Sequence, residues 1–178
     1  MLTINDLYED KELAVKDSQL AVILNSPPQK AWIKQHPVYK TDYLPIERVE
    51  WLMTRIFGRW RVEVLDSKLM VNAVVVTVRV HYRDPLTGEW EWMDGIGAKE
   101  LQMNSGSNPT DISQIKGTAL VLACPIAETN AQKDACEKLG KIFGKDLNRK
   151  DNLDYSDIGD KFTKDERYAN LLGEGGAK

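Results

Sequence analysis

The sequence predicts an α+β domain: a helix, a three-stranded antiparallel β-meander and a packed C-terminal helix, giving a β-β-β-α core. Three observations predict it. Ile46, Val49, Leu52, Met53, Ile56 and Phe57 recur at helical spacing and form one apolar face. Period two then takes over, with Trp60, Val62 and Val64 alternating with Arg59, Arg61 and Glu63, followed by a β-branched run from Leu69 to Arg83. Last, the segment from Pro125 to Phe143 sets Ala127, Ala131, Ala135, Leu139 and Ile142 on one helical face, and its alanines let the helix lie close on a sheet. With 178 residues, 42% of them hydrophobic, the chain can bury one core but not two large ones.

Taken in order, residues 1–27 predict a modest helix stopped at Asn25-Ser26-Pro27-Pro28, because proline lacks an amide donor and restricts the residue before it. Residues 29–44 read as a loop carrying Trp32, Lys34, Tyr39, Lys40 and Tyr43. Pro45 opens the next helix, where a missing amide costs nothing, and Gly58 ends it. Turns are expected at Asp66-Ser67-Lys68 and over Asp84-Pro85-Leu86-Thr87-Gly88, with a third strand from Glu89 to Gly97. Residues 98–117 are polar and rich in Gly, Ser and Asn, a long loop of the kind that is often functional. The run ALVLACPI stays ambiguous because Pro125 interrupts it, and beyond Asn148 the chain turns charged and weakly apolar. The expected organisation is an N-terminal arm or helix over 1–28, a central domain over 29–150 and a charged flexible tail over 151–178.

Composition excludes several classes of function. No apolar stretch, Ala73 to Val78 among them, approaches the roughly 20 residues that cross a bilayer, and the acidic start MLTINDLYEDKEL is no secretory signal. Cys124 and Cys136 stand unpatterned, which fits a reducing cytoplasm, and with only His36 and His81 beside them a Cys/His metal site lacks ligands. No G-x-x-x-x-G-K-[ST] loop is present, which excludes ATP-driven strand exchange. Asp84, Asp94 and Glu100 with Lys99 loosely match a metal-dependent nuclease cluster, but the acid-x-lysine spacing is absent. Cys136 has no activating histidine next to it. The expectation is therefore no catalytic residue, no metal and no cofactor. The overall charge of −3 hides an uneven distribution: residues 1–27 carry −3, residues 28–61 carry +4 and residues 151–178 carry −3. A polyanion responds to the local field rather than the sum.

Three segments, in the right order, carry a resemblance to a known family. They are Tyr43 to Gly58, YLPIERVEWLMTRIFG; Val78 to Gly97, VRVHYRDPLTGEWEWMDGIG; and Ala127 to Asn148, AETNAQKDACEKLGKIFGKDLN. The first resembles an aromatic residue leading into a helix with an Arg-Val pair and a Phe-Gly end. The second resembles a VRV strand, short turn and return strand closing on acidic-Gly-x-Gly, and the third an Ala/Lys-rich helix ending in Phe-Gly. In this order they are similar to the DNA-binding domain of the Rad-fifty-two superfamily of single-strand annealing proteins, phage recombination proteins included, over roughly residues 40–150. The resemblance implies a ring-forming homo-oligomer that holds single-stranded DNA in a basic groove and anneals it without ATP. It implies a single-strand-binding protein or an exonuclease as accessory partner, no membrane, and a cytoplasmic setting, that of the host if phage-encoded. A nucleic-acid-binding or structural phage protein preferring RNA, or a nuclease, are the alternatives.

Site residues follow the same resemblance. Tyr43 stands where the family has a groove-lining aromatic, and Lys138 and Lys141 where it has basic residues on the closing helix. The family's basic position before Lys138 is Glu137 here, while Lys145, Lys34 and Lys40 offer substitutes. On a continuous helix Lys138, Lys141 and Lys145, at i, i+3 and i+7, make one basic stripe for phosphates. The structural alternative is a solvated face with Asp134–Lys138 and Glu137–Lys141 pairs. Tyr43 has a second reading as a staple on Ile46 or Val49. Arg59 is a fallback groove residue, and Lys68, in the first turn, a contact at a ring's outer surface. Trp60, Trp90 and Trp92, alternating with polar residues, are expected in the core or a subunit contact rather than under bases.

Overall fold

A computed structural model describes residues 10–149. It has three helices and a three-stranded antiparallel sheet packed against the last of them. Helix α1 (Lys11–Asn25) starts at Asp10, whose carboxylate accepts from the amides of Glu12 (2.9 Å) and Leu13 (3.2 Å). Residues 29–44 are more ordered than a loop: strands β1 (Lys34–Gln35) and β2 (Asp42–Tyr43) form a small hairpin. Its turn is closed by the His36 amide on the Thr41 carbonyl, 2.8 Å, and by Lys40 in a left-handed conformation, φ 55°. The amphipathic segment forms α2 (Ile46–Phe57), capped by Pro45 and ended at Gly58. Leu44, just before the cap, is buried in one cluster with Val49, so Leu44 and not Tyr43 holds the staple position.

The sheet is β3 (Trp60–Met70), β4 (Ala73–Arg83) and β5 (Trp90–Glu100), in that order, so β4 is central. The turn expected at 66–68 is not there. Asp66, Ser67 and Lys68 pair with Thr77, Val76 and Val75, and the chain reverses beyond Met70, where Val71 takes the left-handed region at φ 57°. Asp-Ser-Lys has turn propensity, but pairing along the whole length of the β-branched β4 outweighs it. A bulge between Val64 and Asp66 bends β3.

Helix α3 (Ala119–Glu137) begins well before Pro125, which sits inside it. Proline in a helix interior costs about 3 kcal/mol, and packing offsets it: Ala119, Ala123, Ala127, Ala131 and Ala135 are all buried. At Gly97 an added Cβ would lie 2.2 Å from the Ala131 amide nitrogen, and at Gly95 2.1 Å from the Ala131 carbonyl oxygen. The α3 backbone therefore rests directly on β5, alanine on glycine, which explains both the alanine stripe and the Asp-Gly-Ile-Gly sequence. Val74, Val76, Val78, Val80 and Tyr82 of β4 fill the rest of that face with Leu52, Met53 and Phe57 of α2 and with Phe143. The helix expected to run to Phe143 stops at Glu137. Gly140 passes so close to α1 that a Cβ there would meet the Leu24 carbonyl at 2.3 Å, and Lys141–Phe143 is a separate short turn.

The polar loop at 101–118 is pinned by an isolated bridge between Met103 and Ile115. The tail expected over 151–178 lies outside the described residues. Among the described residues no helix is long and apolar enough to cross a membrane.

Candidate nucleic-acid interface

Two basic segments far apart in sequence meet beside α2. Asp42 donates its amide to Asn148 Oδ1 at 2.8 Å and accepts from Asn148 Nδ2 at 2.7 Å, which ties the β1–β2 hairpin to the C-terminal turn. Lys34 lies directly across the hairpin from Tyr43. Lys133, from α3, sets its ammonium 5.0 Å from the centroid of the Tyr43 ring. His36 meets Tyr43 edge-on at 6.5 Å and stacks on Tyr39 at 4.8 Å, and Tyr39 and Lys40 are exposed at the hairpin tip. Beside them Arg48 sits between Trp32 and Trp51, 4.9 and 5.1 Å from their centroids. Basic side chains and accessible rings alternate here, the arrangement that tracks phosphates while offering surfaces to unpaired bases.

Two carboxylates temper the charge. Glu47 lies 3.9 Å from Lys34, and both Glu47 and Glu137 act on Lys133. Burial pushes the Lys133 ammonium below its usual range against the pull of those two acids. Burial, with Asp134 adding to it, pushes the Glu137 carboxyl above the usual carboxylate range. Glu137 is thus a partly desolvated acid in the middle of a basic surface.

The stripe of Lys138, Lys141 and Lys145 does not exist as a helical feature, since the helix ends before all three. Lys138 caps it and donates to the Asp94 carbonyl at 2.6 Å and to Asp134 Oδ2 at 3.0 Å. Lys141, its side chain only 15% exposed, lies 3.9 Å from Asp146 rather than paired with Glu137. Lys145 is exposed in the turn that follows. The stripe that α3 does present is polar and serves the sheet. Asn130 donates to the Ala98 carbonyl at 3.1 Å, Asp134 accepts from the Ile96 amide at 3.0 Å, and Lys138 completes the row at Asp94. These are the outward backbone groups of an edge strand, which would otherwise invite another strand.

Arg59 and Lys68 belong to the sheet and not to the hairpin cluster. Arg59 immediately precedes β3, and Lys68 lies within it, 3.6 Å from Asp66. Trp60 is half-buried against the core, its Nε1 donating to Thr54 Oγ1 at 3.0 Å. Trp90 and Trp92 are 48% and 53% exposed, which corrects the expectation of the core as their place and leaves a subunit contact as its other half. Their neighbours in register are Arg83 and His81, on the face of β4 turned away from α3, because the inward positions of β5 are Met93, Gly95 and Gly97. Sequence reasoning missed Lys133, Arg48 and Asn148. Lys133 hid among ordinary helix charges, and the Asn148–Asp42 tie spans a sequence separation that no local signal reports.

Among the described residues no group of three or more His, Cys, Asp or Glu stands together as a metal site. Asp94 is engaged bidentately by Arg79, 2.7 and 2.8 Å, which holds its carboxyl below the usual range. Cys136 is buried and its thiol is pushed up to about 12, the opposite of an activated nucleophile. Comparison with known protein families and with curated proteins finds no match to this chain.

Proposed function

We propose that the chain binds single-stranded DNA and promotes annealing of complementary strands in homologous recombination, without nucleotide or metal, as a ring-forming homo-oligomer. The observation that carries this reading is the juncture around Tyr43. Helix residue Lys133 reaches the Tyr43 ring, Lys34 faces Tyr43 across the hairpin that carries Lys40 at its tip, and the Asp42–Asn148 tie joins that hairpin to the turn that follows Lys145. Phosphates would lie along the lysines with bases turned outward, and pre-ordering a strand in this way is all that annealing requires. The resemblance of the three sequence segments to the annealing superfamily points the same way.

The test is fluorescence anisotropy of a labelled oligothymidine over a salt series. Affinity is expected to fall as salt rises, because lysines binding phosphates release counterions. Lys133→Ala is expected to weaken binding several-fold and to flatten the logarithmic salt slope by about one unit, the loss of one phosphate contact. Salt-independent binding, or a Lys133→Ala variant with wild-type affinity and slope, would refute this assignment.

A further inference from the structure

The face of the sheet turned away from α3 is a second, unassigned surface. Arg61, His81 and Trp92 form one row across the three strands, and Glu63, Arg79 and Asp94 the next. Trp90 stands across from Arg83 at the same end. The Arg61 guanidinium lies 5.8 Å from the Trp90 centroid and that of Arg79 5.4 Å from the Trp92 centroid. His81 Nε2 and Glu63 Oε2 are 2.8 Å apart, and Arg79 is held by Asp94. Each indole is thereby flanked by an oriented cation while half of its surface remains open to solvent. Among the described residues Arg61 forms no ion pair, and Arg59, two residues earlier and just outside β3, accepts the Arg83 amide at 3.0 Å at the same end of the sheet.

We propose that this face is a stacking platform for the unpaired bases of single-stranded nucleic acid, with Trp92 and Trp90 beneath the bases and Arg61 and Arg59 on the phosphates. The proposal rests on the functional reading above but concerns a different surface, on the far side of the sheet from α3. Charge decides the occupant. The cores of contacts between protein copies are depleted in charged residues, whereas the rows here carry Arg61, Glu63, Arg79 and Asp94 at their centre. Asp94 and Glu63 engage Arg79 and His81 at the centre of the rows, so the free positive charge lies at the edge with Arg61, where a phosphate would sit while unpaired bases meet the open indoles. Stacking is open only to unstacked bases, so the surface discriminates single strands from duplex.

The chain has five tryptophans, so variants must assign the signal. Intrinsic fluorescence is followed while an oligothymidine, or a duplex of equal length, is added to the full chain. Oligothymidine is expected to quench the wild type more than duplex does. The double variant Trp90→Phe with Trp92→Phe is expected to lose much of that quench, while Trp60→Phe, at a half-buried indole outside both surfaces, keeps it. Trp90→Ala with Trp92→Ala is expected to weaken oligothymidine binding about fivefold or more, at unchanged sedimentation mass. Quench and affinity that survive both Trp90/Trp92 doubles would overturn the platform while leaving the functional reading intact. A change of mass with affinity per protomer preserved would overturn it too, by making the face a contact between copies. If the wild type neither binds nor is quenched, the functional reading falls as well. The phenylalanine pair keeps the test valid should the alanine pair fail to fold.

Discussion

At the scale of single residues, the structure turns several side chains to work other than what their chemistry advertises. Lys138 is the clearest case. Its ammonium holds the Asp94 carbonyl and Asp134 across the edge of β5. Lys138→Ala is therefore expected to cost about 1 kcal/mol, a charge-assisted hydrogen bond discounted for partial exposure, and a urea titration reads it. No change in the midpoint would return Lys138 to the solvated surface. Glu137 gives a pH-dependent prediction. Its folded carboxyl titrates above the unfolded value, so the charged form is disfavoured in the folded state. Glu137 thus destabilises the fold at neutral pH, and the penalty fades as pH falls through the raised folded value towards the unfolded one, about 4.3. Glu137→Gln is expected to raise the Tm at pH 7, with the difference vanishing below about pH 4, and to strengthen single-strand binding by removing a negative charge beside Lys133. A Tm difference that persists at low pH would show that the cause is not ionisation. Glu63 and Asp94, held below the usual range by His81 and Arg79, act oppositely: their contribution is present above the unfolded carboxylate value and is lost as pH falls below it.

At the scale of elements, what was legible in the sequence was whatever period and composition encode. The α2 face, the β4 run and the 84–88 turn formed as expected because local propensity and burial agree there. Strand β5 misled for a specific reason. Alternation marks Trp90 and Trp92 as the inward set, but the inward positions are the glycines, since the α3 backbone lies against them. Glycine as the buried partner of a helix is invisible to a hydrophobicity pattern. The consequence is testable: Gly97→Ala places a methyl 2.2 Å from a backbone nitrogen that cannot swing aside. It is expected to cost about 3 kcal/mol or more, and a loss below about 1 kcal/mol would show that α3 can lift from the sheet. The end of α3 misled similarly, because Gly140 is required by a contact with Leu24 of α1 that no local pattern reports. Of the candidate site, Lys34, Lys40, Tyr43 and Lys145 were readable as residue types, while Lys133, Arg48 and the Asp42–Asn148 geometry were not.

At the scale of the whole molecule, a chain with a net charge of −3 carries two surfaces built from basic and aromatic side chains, one around Tyr43 and one across the open sheet. The tie that assembles the first is Asn148 on Asp42. Asn148→Ala is expected to lower stability by only about 1–2 kcal/mol, two hydrogen bonds at an exposed site, yet to weaken oligothymidine binding several-fold by freeing the hairpin from the turn. Equal affinity in anisotropy would show that the two segments need not be joined. The central claim is annealing itself, and the most direct measurement follows two complementary labelled strands by energy transfer, in EDTA and without ATP, with and without the full chain. The predicted result is a faster approach to duplex with the protein present, and slower annealing for Lys133→Ala. Unchanged annealing in EDTA, or acceleration only when magnesium or ATP is supplied, would contradict the account.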